Sequence, residues 1–404
     1  MTTANDLEIV RLDEMVENTK QAVQQLGKLT NQERDRLLAA LAIALRQKVP
    51  EILEANTLDL EAGLGNSSPA NNWRKLTPER LKRSIDLLER LQELPLPQIP
   101  PVTTPSTYCR FTPLGQITLV VDAIPEVLLL GMGMCLKTGN VSIAKCDPGI
   151  THCSRAIVSV IQATLTNNKL VPACCQLVDL PLPALLSPLI SSRQIIVYGK
   201  AELIQAVERL APVPVIAAAI GNCYLYWSAS SSWEVVRNSI IDSHTGEPEA
   251  VNAIEKVLIQ PEHKSSNLIA LWSSLKEKGF QLLGNEELVN NYPDYLQLST
   301  DASWSQPYFD KIVAFKSVDN LDIGIQQINQ HSSGHADSII TELFIEAQQF
   351  AATVETACVY INTSPRFQRY TGNHIFLGIA SQKNHHPGFI SLERMMTAKP
   401  IIYQ

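Results

Sequence analysis

The sequence contains no Gly-x-Gly-x-x-Gly pattern, no Gly-x-x-x-x-Gly-Lys-Ser/Thr pattern and no Cys-x-x-Cys pair. The first two are the phosphate-binding loops of common dinucleotide and P-loop proteins. The third is the usual unit of zinc ribbons and thioredoxin-like redox sites. The standard fingerprints of these classes are therefore absent.

Long apolar runs and basic clusters are also missing. The best apolar run, VLLLGMGMCL, ends at Lys137, well short of the roughly 18 to 20 residues that a membrane helix needs. The net charge is −7, and phosphate contacts supply most of the affinity for nucleic acids. The first residues, MTTANDLEIVRLDE, include acidic ones and no continuous apolar core, unlike a secretory or transit peptide. We expect a cytoplasmic protein that binds neither nucleic acid nor a membrane.

Cysteine and histidine give no clear site. The eight cysteines lie mostly inside apolar segments of a 404-residue chain, which favours buried thiols over disulfides. His331, His335 and Asp337 could hold a metal if they shared a helix. The Ser-Ser-Gly between the two histidines favours a loop leading into a strand instead, so we expect no metal.

The chain has 45% hydrophobic and 18% charged residues, which is typical of a soluble globular protein. Its length predicts two domains. The first ninety or so residues are helical in pattern, with a capping box at Thr30 to Glu33 and a helix start at Thr77-Pro78. The proline-rich segment 95–115 cannot be helical, and we predict an extended hairpin there.

From Gln116 onward, apolar strand-like runs alternate with helical stretches. The runs are QITLVVDAI, NVSIAK, CCQLVDL, QIIVY and VPVIAAA, then EKVLIQ, KIVAFKS, DSIITEL and ACVYIN. Continuous β-branched runs separated by helices predict parallel sheets covered on both faces. We predict an α/β fold with a Rossmann-like domain over 1–240, a second α/β domain over 241–375 and a C-terminal arm over 376–404. This division places Val251 near the domain junction.

The order of several segments resembles the γ-glutamyl phosphate reductase (glutamate-5-semialdehyde dehydrogenase) family, within the aldehyde dehydrogenase superfamily. The resemblance covers nearly the whole chain. The segments are LTPERLK (76–82), TPLGQITLVVDAIPEV (112–127), CLKTGN (135–140), VPVIAAAIGNCYLY (213–226), TGEPEAVN (245–252), HSSGHADSII (331–340), VYINTSPRF (359–367) and SQKNHHPGFISLE (381–393).

The resemblance implies an aldehyde dehydrogenase-like fold with a nucleotide-binding domain, a catalytic domain and an oligomerisation hairpin built from 95–115 and the C-terminal arm. It therefore implies a homo-oligomer, dimeric or larger. In the implied reaction a cysteine thiolate attacks an acyl phosphate, phosphate leaves, and NADPH reduces the resulting thioester. An asparagine side chain and a backbone amide hold the oxyanion.

Two of the implied catalytic residues are substituted in this chain. The family's Pro-Ser-Thr-Cys-Asn corresponds to residues 248–252, so Val251 stands at the nucleophile position and Asn252 matches. The family's Arg-Pro-Asn corresponds to residues 124–126, so Glu126 replaces the oxyanion asparagine. A carboxylate accepts hydrogen bonds and cannot replace an amide donor.

The resemblance also implies residues that bind the cofactor phosphates. The Arg-Gly-Gly-Lys stretch corresponds to residues 145–148, where Lys145 is kept as a cation and Asp147 is acidic. A later Arg-Gly-Gly loop corresponds to 198–200 and keeps Gly199, and Lys137 matches in CLKTGN. A third loop, Gly-Leu-Gly-Ala-Glu, is altered over 376–380. Lys137, Lys145 and Gly199 are the predicted cofactor-binding residues.

These substitutions predict a catalytically degenerate homologue, a pseudoenzyme acting as a scaffold, regulatory or sensing protein, in which no cofactor need bind. The alternative is an active NADPH-dependent γ-glutamyl phosphate reductase of proline biosynthesis. A third hypothesis is a different reaction in which Glu126 or Glu249 acts as the acid or base. Only the positions of these two residues support it.

Overall fold

The structure is a computed structural model and describes residues 4–63, 70–98, 107–185, 192–245, 250–383 and 386–402. Its helices are α1 (Ala4–Lys28), α2 (Asn31–Gln47), α3 (Val49–Ala62), α4 (Ala70–Arg74), α5 (Pro78–Glu93), α6 (Pro125–Thr138), α7 (Thr151–Asn167), α8 (Ala201–Leu210), α9 (Trp233–Ser243), α10 (Ser265–Glu277), α11 (Glu286–Asn291), α12 (Leu321–His331) and α13 (Phe344–Thr353).

Its strands are β1 (Thr107–Pro113), β2 (Gln116–Val121), β3 (Val141–Cys146), β4 (Cys175–Leu177), β5 (Gln194–Tyr198), β6 (Val215–Ala218), β7 (Cys223–Trp227), β8 (Ile254–Ile259), β9 (Gln281–Gly284), β10 (Gln297–Leu298), β11 (Ile312–Ser317), β12 (Ala336–Ile340), β13 (Cys358–Ile361), β14 (Tyr370–Thr371), β15 (His374–Ile375), β16 (Ile379–Ala380), β17 (Gly388–Phe389) and β18 (Met396–Ile402).

The chain divides into two compact units. Unit 1 contains residues 1–217, 369–378 and 389–404, and unit 2 contains residues 218–368 and 379–388. The change of unit at residue 218 comes earlier than the predicted boundary at 240, because β7 already belongs to the sheet of unit 2. The C-terminal stretch also alternates between the units instead of forming a separate arm from residue 376.

Two helices of unit 1, α2 and α5, begin where the sequence predicts. Thr30 accepts a hydrogen bond from the Glu33 amide, and the Glu33 side chain accepts one from the Thr30 amide, which completes the capping box of α2. Thr77 caps α5, and Pro78 occupies its first turn. Both caps satisfy amide groups that a helix start leaves without intrahelical partners.

The sheet of unit 1 confirms the predicted parallel arrangement. Its strands lie in the order β6-β5-β2-β3-β4, and the β2–β3, β2–β5 and β3–β4 pairs are parallel. Every residue of β2 and of β5 is buried, as is every residue of α6. A helix that is apolar on all sides packs inside the core, and here α6 connects β2 to β3.

The proline-rich segment leads into a two-stranded ribbon. The strand β1 pairs antiparallel with β18 over seven positions, from Thr107 opposite Ile402 to Pro113 opposite Met396. The C-terminal segment therefore pairs with the segment that the sequence predicts to be a hairpin. Residues 99–106 of that predicted hairpin lie outside the described residues.

The sheet of unit 2 has the order β10-β9-β11-β8-β7-β12-β13. Its pairs from β9 to β13 are parallel, and the predicted strands β8, β11, β12 and β13 are all present. No strand-like pattern in the sequence predicts β7, which is a short aromatic run, or β9, which has only four residues. The main core packs Trp227, Trp272 and Phe315 between the sheet and its helices.

Two absences follow for the described part of the chain. None of its helices is long and apolar enough to cross a membrane. All eight cysteines are unpaired, and five of them are buried, as the sequence predicts.

Candidate active site

Val251 is buried in a turn that leads into β8 of unit 2, with 4% of its surface exposed. Its carbonyl oxygen accepts hydrogen bonds from the Gly221 amide at 2.8 Å and from Nε2 of His335 at 3.2 Å. Two separate segments therefore fix the backbone of this loop. The side chain at the family's nucleophile position is an isopropyl group with no atom that can attack a carbonyl.

His335 contacts this loop, although the sequence suggests only a metal-binding role for it. Its Nδ1 lies 2.8 Å from the Ser333 hydroxyl, and its Nε2 lies 3.5 Å from Sγ of Cys223. Burial lowers the pKa of His335 to about 4. The imidazole is therefore neutral at pH 7, and because a carbonyl only accepts, Nε2–H donates to Val251.

Asn252 keeps a fixed orientation. It is 1% exposed, and its amide nitrogen donates to the Pro365 carbonyl oxygen at 2.9 Å. Ala250, immediately before Val251, has φ 49°, a left-handed conformation that costs an alanine about 1–2 kcal/mol. The loop is therefore held in an uncommon conformation, as active-site loops often are.

The nearby thiols do not replace the missing nucleophile. Cys223 is fully buried, and burial raises its pKa well above the usual range. The pKa of Cys358 in β13 is raised by burial to about 11. Because the thiolate is the nucleophilic form of cysteine, neither residue is activated at neutral pH.

Glu126 belongs to unit 1, where it forms a buried ion pair in the first turn of α6. Its two carboxylate oxygens accept from Nε of Arg80 at 2.5 Å and from Nη2 of Arg80 at 3.1 Å. The exposed fractions of the two side chains are 7% and 8%. Arg80 also donates to the backbone carbonyls of Asn72, Trp73 and Lys75. The carboxylate is thus bound to Arg80, a partner that no pattern in the sequence predicts.

The carboxyl ends of β2, β3 and β5 meet at one edge of the unit 1 sheet, which we call the carboxyl edge. The Asp147 amide donates to Val121, and the Asp122 amide donates to Tyr198. The predicted residues Lys145 and Gly199 both lie at this edge. A Cβ at Gly199 would approach Cβ of Asp122 to 2.7 Å. The structure therefore brings these two predicted cofactor residues to the same edge, where α/β proteins commonly bind ligands.

The carboxyl edge carries both signs of charge. Asp122 is 7% exposed, and burial, with a smaller contribution from Asp147, raises its pKa. The Asp147 carboxylate pairs with Arg74 at 2.9 Å. Phosphate is repelled by carboxylates and attracted by cations such as Lys145. Arg74 balances Asp147, so Asp122 is the carboxylate that opposes phosphate at this edge, beside the cations Lys145 and Lys200.

Lys137 lies elsewhere, in the last turn of α6, near the amino end of β3. Its ammonium group donates to Asp35 Oδ1 at 2.6 Å and to the Gln92 carbonyl at 2.9 Å. The helix separates it from the carboxyl edge by its full length of 14 residues, which is about 21 Å. Lys137 therefore lies far from Lys145 and Gly199, and its role in binding the cofactor stays a prediction.

The residues considered for a metal form no such site. His331 lies at the end of α12 and hydrogen-bonds Ser305, whereas Asp337 is buried and accepts from Ser332. No group of three or more histidine, cysteine, aspartate or glutamate side chains in the described ranges is arranged to hold a metal ion. Ser332 to His335 form a loop that leads into β12, as predicted.

Comparisons with known proteins point to one family. No family model matches the chain. γ-Glutamyl phosphate reductase 2 of Synechocystis is 38% identical over 384 residues, which cover 92% of this chain and 91% of that protein. The γ-glutamyl phosphate reductase of Anoxybacillus flavithermus is 30% identical, and the match covers 95% of this chain and 96% of that protein.

Solved structures agree with the sequence relatives. γ-Glutamyl phosphate reductase from Thermotoga maritima superposes with a TM-score of 0.85 at 25% identity, covering 97% of this chain and 98% of that one. An acetylating aldehyde dehydrogenase from Geobacillus thermoglucosidasius gives a TM-score of 0.76 at 13% identity, covering 100% and 98%. The glyceraldehyde-3-phosphate dehydrogenase GapN of Methanocaldococcus jannaschii, solved with NADP, gives 0.73 at 14%, covering 97% and 94%. The last two show the fold alone. The chain belongs to the γ-glutamyl phosphate reductase family and has the aldehyde dehydrogenase-like fold.

Proposed function

We propose that this member of the family lacks the reductase reaction and is retained as a cytoplasmic scaffold, regulatory or sensing protein. The observation that carries the proposal is Val251, at the position that corresponds to the family's nucleophilic cysteine. Covalent catalysis through a thioester requires a thiolate at that position. Removal of a covalent nucleophile eliminates the pathway instead of slowing it by a modest factor.

Glu126 supports the proposal independently. Loss of one oxyanion donor costs about 10²–10³ in turnover, and a carboxylate adds negative charge in place of that donor. Arg80 balances the charge of Glu126 in a buried ion pair. Arg80 also donates hydrogen bonds to three backbone carbonyls. The carboxylate at this position is therefore held by Arg80 and supplies no hydrogen-bond donor to an oxyanion.

The cofactor implied by the family is NADPH, which supplies hydride when bound. Lys145 and Gly199 are the predicted residues at the carboxyl edge that would hold its phosphates. Asp122 lies at the same edge and opposes this binding, whereas Arg74 balances the charge of Asp147. We therefore propose that NADPH binds weakly or not at all.

The second candidate is an active NADPH-dependent γ-glutamyl phosphate reductase of proline biosynthesis. The names of the sequence relatives favour this candidate more directly than the first, because each is named as a reductase. The structure is also compatible with it, because hydrogen bonds hold Asn252 and the backbone of Val251 at the position of the family's nucleophile. Whether the cofactor binds separates the two candidates.

Calorimetric titration of NADPH into the purified chain tests this choice. We expect no saturable binding at the micromolar affinity of a working dehydrogenase. The Thermotoga maritima relative, titrated in parallel, checks the assay. Tight, saturable NADPH binding by the unmodified chain would instead support the second candidate.

The variant Val251→Cys is expected to remain inactive as a reductase, because Glu126 keeps its pair with Arg80.

A further inference from the structure

The sheet of unit 1 reverses its strand order between β2 and β5. From β2 the chain adds β3 and then β4 on one side of the sheet, and it returns to add β5 and then β6 on the other side. In open parallel sheets, ligands bind outside the carboxyl ends of the strands where the order reverses. We call this position the reversal point and define it by Asp122, which follows β2, and by Gly199 and Lys200, which follow β5.

Asp122 places a carboxylate at the reversal point. Its amide continues the pairing of β2 with β5 by donating to the Tyr198 carbonyl oxygen at 2.9 Å, which sets Asp122 beside Gly199. A Cβ at Gly199 would lie 2.7 Å from Cβ of Asp122 and 3.3 Å from its Oδ2. Gly199 therefore leaves the room that the Asp122 side chain occupies.

The Asp122 carboxylate is buried but only partly hydrogen-bonded. The residue is 7% exposed, and its Oδ2 accepts a long bond from the Lys200 amide at 3.4 Å. Oδ1 accepts no hydrogen bond from the residues that the structure describes, and it is not one of their enclosed polar atoms that lack a partner. It therefore keeps access to solvent. Burial raises the pKa of Asp122, so its charge lacks full compensation, which a hydrogen-bond donor on a ligand would supply.

Cationic groups lie near this carboxylate. Lys200 attracts Asp122 electrostatically, and Lys145 lies at the end of β3, on the other side of β2. The helix α8 begins directly after Lys200, and no side chain in the described part of the chain caps its first turn. A helix start offers amides and a positive dipole to an anion. Because Arg74 balances Asp147, the position beside Asp122 favours a phosphate.

A neutral diol suits the Asp122 carboxylate better than an ammonium group does. Both groups donate hydrogen bonds to a carboxylate, but Lys145 and Lys200 repel an ammonium group. In dinucleotide-binding domains, a carboxylate of this kind accepts a hydrogen bond from the 2′-hydroxyl of a ribose. A phosphate on that hydroxyl would meet the negative charge of Asp122.

We propose that the reversal point binds a ribose that carries both free vicinal hydroxyls and a 5′-phosphate, the unit that ribonucleotides and ribose 5-phosphate share. Asp122 accepts hydrogen bonds from the diol, and Lys200 and the start of α8 hold the phosphate. A ribose with a phosphate on its 2′-hydroxyl, as in NADPH, is disfavoured. The inference rests on the proposed sensing role and names the class of ligand that is sensed.

Isothermal titration calorimetry on the full chain, at fixed ionic strength, tests the inference with two pairs of probes. They are AMP with 2′-deoxy-AMP and ribose 5-phosphate with 2-deoxyribose 5-phosphate, and each pair differs only in the hydroxyl that Asp122 is proposed to bind. Adenosine 2′,5′-bisphosphate is the probe with a phosphate on that hydroxyl. The variant Asp122→Asn keeps the shape of the side chain and removes its charge. The matched control is the same substitution at a partly exposed position of α5, Asp86→Asn.

We expect saturable binding of AMP or ribose 5-phosphate, and binding about tenfold weaker for the deoxy partner, as for loss of a hydrogen bond to a charged group. In Asp122→Asn the difference within the pair should fall below about twofold, because the hydroxyl and the carboxylate act together. Asp86→Asn should keep the full difference. Adenosine 2′,5′-bisphosphate should bind at least about tenfold more weakly than AMP. Tighter binding of AMP identifies a nucleotide ligand, and equal or tighter binding of ribose 5-phosphate identifies a sugar phosphate.

Two results for the unmodified chain overturn the inference even if Asp122→Asn fails to fold. They are absence of saturable binding by both pairs and equal affinity within each pair. A difference that persists in Asp122→Asn, or binding of the bisphosphate as tight as that of AMP, also overturns it. Failure of the proposed function gives a different result, since NADPH binding or turnover counts against that function, whereas absence of AMP and ribose 5-phosphate binding leaves it standing.

Discussion

At the scale of single residues, the neutral state of His335 is a consequence of burial that can be measured. Between pH 6.5 and about 4, the unfolded chain takes up a proton on this imidazole and the folded chain does not. Acidification through that window therefore lowers stability. Asp337 is buried with its pKa raised to about 6, which acts in the opposite direction.

A comparison with His335→Gln isolates the histidine contribution, because the Asp337 contribution is common to both proteins. At neutral pH we expect the variant to be less stable, since the hydrogen bond to Val251 is weakened. The difference should shrink by about 2 kcal/mol between pH 7.5 and pH 5, which follows from an unfolded pKa near 6.5. Urea denaturation at a series of pH values measures it. A difference independent of pH would show that His335 is not held neutral.

The Arg80–Glu126 pair gives a second prediction at this scale. We expect Glu126→Gln to destabilise the chain by about 3 kcal/mol, because it leaves a buried guanidinium without its counter-charge. The control is Glu89→Gln, which removes one of the two carboxylate partners of Arg46 in a pair that is about one-third to one-half exposed and should cost no more than about 1 kcal/mol. Equal losses in denaturant unfolding would argue against the structural role of Glu126.

At the scale of elements, the end of α6 depends on a glycine. Gly139 has φ +80°, and a Cβ there would collide with the guanidinium of Arg34 and lie 3.0 Å from Pro113. Gly279, after α10, has φ +81° with nothing within 4 Å. Gly279→Ala therefore measures the backbone cost alone, about 1 kcal/mol. We expect Gly139→Ala to cost at least about 1 kcal/mol more by denaturant unfolding. Equal costs would mean that Arg34 does not pack against this turn.

The elements that could be predicted are those with a strong local signal. The sequence predicts strands β2, β3 and β5 because they are continuous β-branched runs, whereas β7 is a short aromatic run beside a glycine, which carries no such signal. The segment order identified Val251 and Glu126 as substituted positions. It could not show that Arg80 pairs with Glu126 across 46 residues, or that His335 contacts Val251 across 84. Contacts between distant segments leave no periodicity in a sequence.

At the scale of the whole molecule, the β1–β18 ribbon leads to a prediction about assembly. We propose that the chain forms a dimer or larger homo-oligomer through this ribbon, in which Tyr108 and Ile402 are 46% and 77% exposed. Light scattering coupled to size exclusion should give at least twice the chain mass. Deletion of residues 396–404 should shift the protein toward a monomer. A monomer before deletion would contradict the proposal.

The central claim concerns the whole molecule as a catalyst. The direct measurement is the NADP-linked, phosphate-dependent oxidation of glutamate semialdehyde by the purified chain, followed through NADPH absorbance. The Thermotoga maritima relative serves as a positive control under the same conditions. With Val251 at the nucleophile position, we predict a rate equal to that of a buffer blank. Protein-dependent NADPH formation above the blank would contradict the account and establish the chain as a working reductase.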